Sequence, residues 1–289
     1  VTLKNQAHTR TRSHPNARTS TLRQAKIGLF DSGVGGLSVF RAVKRELPEY
    51  EYVYFADQKF CPYGARPPQE IRALSQRIVE FLLEQNCRII VVACNTASAA
   101  ALYHLRETFL DVPFIGMEPA VKPAARETRS GKVAVLATEG TLQGELFAHT
   151  REAHARAVEV LTVYPGDWVE RVERGEIDSP ETEASVRRVI EPLLDVGVDE
   201  IALGCTHYPF LSPLIEKITQ GRAKILDPSD AVALQTTRIV EEWSLSPLQP
   251  SQSTFYTSGD EASFVRVLEK LLGIRAEHVF QEALETTAV

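Results

Sequence analysis

Lys26-Ile27-Gly28-Leu29-Phe30-Asp31-Ser32-Gly33-Val34-Gly35-Gly36-Leu37 passes from an apolar run through a glycine-rich turn into helical spacing. Ile27 to Phe30 reads as a short buried strand, and Leu37, Phe40 and Val43 recur at the interval of one helix face. The same alternation continues. Tyr52 to Ala56 reads as a strand, Asp57 to Pro68 as a loop, and Ile71, Leu74, Ile78 and Leu82 as an amphipathic helix. Arg88 to Ala93 is a strand that runs into Cys94-Asn95-Thr96 and an Ala-rich helix from about Ala97. Strands alternating with helices imply βαβ units and a mostly parallel sheet.

Further along, the pattern restarts. Lys132 to Ala137 reads as a strand followed by Thr138-Glu139-Gly140-Thr141, Thr182 to Leu194 as a helix, and Asp199 to Leu203 as a strand followed by Cys205-Thr206-His207. Asp31 precedes Cys94 by 63 residues, and Thr138 precedes Cys205 by 67. The expected fold class is therefore α/β: two similar α/β domains with mostly parallel sheets, related by approximate two-fold symmetry, each presenting one thiol. Pro119, Pro123 and Gly131 mark the crossing between halves, Pro-rich 246–250 reads as a loop, and a final helix, Ala262 to Leu272, should return to the first half. The expected division is a basic, disordered tail at 1–24, a discontinuous first domain at 25–117 and 230–289, and a second domain at 118–229.

Composition excludes several classes. With 44% hydrophobic and 24% charged residues, the 289-residue chain has enough apolar material for sizeable cores and is not a disordered or fibrous sequence. The longest dense apolar stretches fall far short of the ~18 residues of a membrane span. Six basic residues and no acid lie in residues 1–30, leaving 26 basic against 38 acidic side chains elsewhere. An acidic body argues against nucleic acid as the main ligand, because phosphate needs a basic face. The tail lacks a secretory h-region, and Cys61, Cys87, Cys94 and Cys205 show no CxxC spacing, so free thiols in the cytoplasm are expected.

Ligands of open α/β sheets bind outside the carboxyl ends of the strands, where Asp31, Ser32, Asn95, Thr96, Thr138, Cys205, Thr206 and His207 fall. Cys94 and Cys205 also read as preceding helices, whose positive ends favour thiolate. Either cysteine alone would pass for a small buried hydrophobe; the matched pair, each followed by polar groups that add nothing to a core, points to chemistry. The glycine turn lacks Gly at position 38 (Ser38) for a dinucleotide fingerprint and has no GKS or GKT. Its backbone N–H groups suit a substrate carboxylate better. Cys205 and His207 could form half of a metal site, but no partner motif supplies the rest, so no metal is assigned. Cys61 and Cys87 read as structural.

The chain resembles the glutamate racemases of the cofactor-independent aspartate/glutamate racemase superfamily. The resemblance rests on Phe30 to Val39, Pro62-Tyr63-Gly64, Val92 to Ser98, Leu136-Ala137-Thr138 with Gly140-Thr141, and Leu203 to Pro209, in family order. It implies two α/β domains with the active site between them, Cys94 and Cys205 as catalytic acid/bases, and no cofactor. It also implies substrate contacts from Asp31, Ser32, Tyr63, Gly64, Asn95, Thr96, Thr206 and His207, with Thr138 and Thr141 nearby. The stretch Tyr164 to Glu170 lacks a Cys often present in the family, which leaves the role of Glu170 open, and Asp227-Pro228-Ser229 departs from a more usual Asp-Ser-Gly. The basic extension is similar to the longer N-termini of Gram-negative members, some of which respond to a UDP-muramoyl precursor.

Two facing thiols can invert a stereocentre, one accepting the Cα proton while the other donates. Asp31 and His207 are expected to place protons around Cys94 and Cys205 respectively. The expected reaction interconverts L- and D-glutamate, supplying D-glutamate for peptidoglycan, in a monomer or homodimer. Two alternatives stand at this stage: a racemase for aspartate or another acidic amino acid, and a non-catalytic amino-acid-binding protein of two α/β lobes. The paired thiols and the missing secretory signal oppose the second.

Overall fold

The computed structural model describes residues 23–248 and 252–284. The chain begins with β1 (Arg23–Gln24) and β2 (Lys26–Asp31), then α1 (Leu37–Glu46), β3 (Tyr52–Ala56), α2 (Pro68–Glu84), β4 (Cys87–Val92), α3 (Asn95–Thr108) and β5 (Phe114–Ile115). It crosses through α4 (Val121–Glu127) to β6 (Lys132–Ala137), α5 (Glu139–Leu142), α6 (Glu145–His154) and β7 (Glu159–Val163). Next come α7 (Trp168–Glu173), α8 (Pro180–Asp195), β8 (Glu200–Gly204), α9 (Ser212–Thr219) and β9 (Lys224–Leu226). The return runs through α10 (Ser229–Glu242), β10 (Leu245–Ser246), β11 (Ser253–Thr257), α11 (Glu261–Leu272) and β12 (Val279–Gln281).

Two larger parallel sheets result, beside a two-stranded pair of β1 and β10. The first has the order β12-β11-β3-β2-β4-β5 and the second β7-β6-β8-β9. The four strands β3-β2-β4-β5 repeat the order of β7-β6-β8-β9, so each half places its own first strand beside its second and third. Within the first half, Phe30 lies opposite Val92; within the second, Ala137 lies opposite Gly204. Neighbouring strand ends therefore bring Asp31 beside Cys94, and Thr138 beside Cys205.

Alternation along β2 serves two cores. Ile27 and Leu29 join Leu37, Phe40 and Val43 of α1 on one face. Phe30 joins Ile71, Leu74 and Ile78 of α2 and Ala97 and Ala101 of α3 on the other. Each such Ile, Leu or Phe contributes about 1.5–3 kcal/mol on burial, and a one-residue slip would exchange the two faces. Cys87 is buried against Gly28, where a Cβ would come within 3.1 Å of its Sγ, in keeping with a structural role.

Three expectations change. The proposed tail at 1–24 lies outside the described residues except for Arg23-Gln24, which pair with Leu245-Ser246. The helix expected last is followed by β12, paired with β11. No α-helix begins at Cys205: a 3-10 turn, Tyr208–Leu211, precedes α9. Among the described residues no helix is long and apolar enough to cross a membrane.

Candidate active site

Cys94 is the cap residue of α3, and its Sγ accepts the Ala97 N–H at 3.4 Å. Its thiol faces Ser32 Oγ at 3.9 Å, and that hydroxyl donates to Asp31 Oδ1 at 3.4 Å. Asp31 Oδ2 in turn accepts the Gly36 N–H at 2.7 Å. Burial pushes the Asp31 carboxyl up, more than His207 and the Gly36 N–H hold it down. Burial, reinforced by Asp31, likewise pushes the Cys94 thiol well above its ordinary value. The expected pull of the helix end toward thiolate is thus outweighed here by the loss of water around sulfur.

Cys205 sits at the matching strand end with a different neighbour. Its Sγ lies 3.6 Å from His207 Nδ1, and His207 Nε2 lies 2.6 Å from Glu173 Oε1. Glu173 comes from α7 but is anchored on the first half, accepting the Val34 N–H at 2.7 Å and Gln58 Nε2 at 2.8 Å. Burial opposes a charged His207, but bonds to Cys205, Cys61 and Glu173 outweigh it and raise the imidazole well above its usual range. Burial also opposes ionised Glu173, yet His207, Gln58 and the Val34 N–H hold its carboxyl below the usual carboxylate value. Both shifts favour an imidazolium paired with a carboxylate.

The glycine turn explains how the halves meet so closely. A Cβ on Gly33 would collide with the Glu173 carboxylate, and one on Gly35 with the His207 ring. The turn does hold carboxylates through its N–H groups, but they are the chain's own: Val34 binds Glu173 and Gly36 binds Asp31. Those two donors are therefore not free for a substrate carboxylate, the use expected of the turn.

Both thiols line one cavity between the halves, together with Ser32, Tyr63, Gly64, Asn95, Thr96, Thr138, Thr206 and His207. Its volume is about 10 Å³, room for one water-sized sphere. Both polar side-chain atoms of Asn95 are buried without a hydrogen-bond partner among the described residues, which marks an amide with bonds still to make. Thr96 Oγ1 meets Thr138 Oγ1 at 2.8 Å and Thr141 Oγ1 at 3.3 Å, a hydroxyl cluster across the interface. Asp31 and Thr141 stand behind the lining rather than in it. Tyr63 lines the cavity, but its hydroxyl is committed to Asp57 Oδ2 at 2.5 Å, with Ser258 Oγ on the other carboxylate oxygen at 2.7 Å.

Sequence reasoning missed Glu173, and it did not place Cys61 near the site. Of the two acids in α7, Glu173 reaches the site, whereas the Glu170 Oε2 is buried without a partner among the described residues beside Tyr164 and Thr138. Cys61, expected to be merely structural, packs against His207, and burial pushes its thiol up to about 12. Cys61 Sγ, a Glu173 carboxylate oxygen and a His207 ring nitrogen lie within 4.8 Å of one another. The expectation of no metal ligands rested on local motifs, and the fold assembles this set from three distant segments. The Gln58-to-Ala65 loop sets Cys61 near a histidine that follows it by 146 residues.

A family model of Asp/Glu/Hydantoin racemases matches residues 27–236. A glutamate racemase from Roseiflexus sp. (strain RS-1) is 46% identical over 85% of this chain and 91% of its own length. The crystal structure of a glutamate racemase isoform from Bacillus anthracis matches with a TM-score of 0.79 at 31% identity, covering 91% of this chain and 100% of that one. Glutamate racemase from Escherichia coli, solved with L-glutamate and the activator UDP-MurNAc-Ala, matches with a TM-score of 0.82 at 29% identity, covering 91% and 100%.

Proposed function

Because this chain belongs to the Asp/Glu/Hydantoin racemase family, we propose that Cys94 and Cys205 invert glutamate by passing protons at Cα from opposite faces. The chain is an isomerase of the glutamate racemase kind. The observation that carries the finer reading is the matched placement of the two thiols, each after the third strand of its half and both on one cavity. One thiolate takes the Cα proton as the other thiol donates, and the roles exchange in the reverse direction. Asp31, through Ser32, holds protons at the Cys94 end; His207, oriented by Glu173, does so at the Cys205 end. Asn95 and the hydroxyls of Ser32, Thr96, Thr138 and Thr206 hold the amino and carboxylate groups, with Tyr63 and Gly64 shaping the wall and Thr141 supporting the threonine cluster from behind. Fixed dipoles in a closed, water-poor space stabilise the carbanion-like transition state, and no cofactor is assigned.

The wider setting follows from the same reading. D-glutamate serves peptidoglycan in the cytoplasm, and a UDP-muramoyl precursor of the kind bound to the Escherichia coli relative is the proposed activator. The working unit comprises residues 25–117 with 230–289, and 118–229.

One experiment tests the reaction. The protein is incubated with L-glutamate or L-aspartate in D₂O, following optical rotation and deuterium at Cα. Loss of rotation with glutamate, with early deuterium in the product enantiomer and little in remaining substrate, is the expected outcome. Preference for aspartate removes the substrate; early deuteration of recovered substrate removes the two-base mechanism.

A further inference from the structure

Glu173 has two carboxylate oxygens, and only one of them serves His207. Oε1 lies 2.6 Å from His207 Nε2 and accepts the Val34 N–H at 2.7 Å. Oε2 accepts the side-chain amide of Gln58, from Nε2, at 2.8 Å. Gln58 opens a 3-10 turn, Gln58–Phe60, after β3, whereas Glu173 ends α7, so a side chain of the first half holds a carboxylate of the second. The Gln58 amide is itself fixed from behind, because Thr257 Oγ1 donates to its Oε1 at 2.9 Å. That hydroxyl accepts the Gly259 N–H at 3.0 Å, which leaves its own proton for the amide oxygen. An ionised carboxylate only accepts, so the NH₂ of Gln58 must face Glu173 and its oxygen must face Thr257. The seat is tight: a Cβ on Gly259 would stand 2.9 Å from the Gln58 Cβ.

We propose that Gln58 and Thr257 are positioning residues for racemisation, holding Glu173 in the one orientation that supports the His207 ring at Cys205. The contacts run in series from the end of β11 to the sulfur: Thr257 to Gln58, Gln58 to Glu173, Glu173 to His207, and His207 Nδ1 to Cys205 Sγ at 3.6 Å. A glutamate side chain gives up much rotamer freedom when it is fixed, and partners on both oxygens keep it in one rotamer. The Gln58 bond also steadies the charge. Burial opposes ionised Glu173, and Gln58 is among the groups that hold its carboxyl below the usual carboxylate value. Without that bond the carboxylate swings and grips the imidazolium less firmly. Neither Gln58 nor Thr257 lines the cavity of the thiols, so both act through Glu173. The effect on turnover rests on His207 serving Cys205; the hold on Glu173 does not.

The test compares Gln58→Leu, Thr257→Val and Thr257→Ser in the full chain, with two readouts. Kinetics give kcat and KM for glutamate in both directions. ¹⁵N NMR of histidine-labelled protein without substrate follows the His207 ring, identified as the signal missing from His207→Asn. Gln58→Leu should lower kcat about tenfold, the lower end of what a hydrogen bond to a charged group is worth, and leave KM within about twofold. Thr257→Val should lower kcat about threefold, the scale of a neutral hydrogen bond. In both variants the His207 ring should lose its proton at lower pH than in wild type. Thr257→Ser, which keeps the hydroxyl, should restore kcat and the His207 titration. The titratable groups that face the Glu173–His207 pair, Asp31, Tyr54, Cys61 and Cys205, are unchanged in all three. A packing role for Thr257 gives the reverse order, since valine keeps the shape of threonine and serine does not. Serine worse than valine would overturn the proposal, as would an unmoved His207 titration in Gln58→Leu. A shifted titration with unchanged kcat would support the hold on Glu173 and break the proton role given to His207.

Discussion

Cys94 and Cys205 follow equivalent strands of equivalent sheets, yet their neighbours differ in charge. Cys94 looks through Ser32 to Asp31, a carboxyl that burial pushes up. Cys205 looks at His207, an imidazole raised well above its usual range and seated on Glu173. At one end burial favours the protonated thiol of Cys94; at the other the bonds around His207 favour its protonated ring. The repeated fold supplies two equivalent positions. What surrounds each position, dry acid or buried ion pair, sets how its proton is held.

The largest test removes each thiol in turn. Cys94→Ala and Cys205→Ala should each lower racemisation by at least about 10⁴-fold, the upper range for one acid/base group, as read by circular dichroism of glutamate. A folded variant with near-normal turnover would end the equivalence of the two ends.

Next in size is the loss of each supporting group. Asp31→Asn and Glu173→Gln should each reduce kcat by roughly 10²-fold, the scale of a lost orienting partner. Enantiomers have equal free energy, so kcat/KM must remain equal in the two directions for any variant. The damage should therefore divide unequally between kcat and KM, with the slower direction opposite in the two variants. The same bias in both would mean a shared role rather than one end each.

A third test uses pH. Glu173, with its carboxyl held below 4.5, contributes stability in full above that value and loses it as pH falls through the folded pKa. His207, raised above 6.5, contributes in full below that value and loses it as pH climbs through its higher folded pKa. Glu173→Gln should remove the Glu173 share of the acid-side loss and move the alkaline loss to lower pH, measured by urea unfolding across pH. An unchanged alkaline limb would show that Glu173 does not hold the imidazole proton.

The smallest effect lies at the crossing between halves. Burial opposes ionised Asp199, but bonds from Thr128, Arg129 and Ser130 bring its carboxyl down to about 2. Asp199→Asn should cost about 1 kcal/mol after solvent screening, a fall of about 2–4 °C in Tm, and leave kcat alone. The wild-type contribution is full above the ordinary carboxylate range and disappears as pH falls through about 2. A change in kcat would mean that the crossing tunes how the two ends meet.

How far the sequence revealed all this depends on distance along the chain. Asp31, Cys94, Thr138 and Cys205 could be read because each ends an apolar run, and a parallel sheet puts such ends at one edge. Glu173 could not: a charged residue in an amphipathic helix looks like a solvated face, and its partners Val34 and His207 lie 139 and 34 residues away. Cys61, in a loop, reads as structural from the sequence, although the fold sets it close to the same histidine. The raised Cys94 thiol was hidden for another reason. Helix position is local and legible, whereas dryness is set by everything packed around the sulfur. The choice of glutamate came from family resemblance, since Asn95 and the threonines would suit any small zwitterion.

The narrow space between the thiols has a kinetic consequence. A volume of about 10 Å³ is far below the ~300 Å³ at which small-molecule pockets begin, so glutamate can neither arrive nor leave in this arrangement. Admitting a molecule of that size requires the lining to part, and the Thr96–Thr138 contact at 2.8 Å, which bridges the halves at this cavity, stands in its way. Once chemistry is fast, turnover is limited by this mechanical breathing. Its rate then falls as solvent viscosity rises, and a short covalent tether between the two rims would leave an enzyme with intact sulfurs and no traffic.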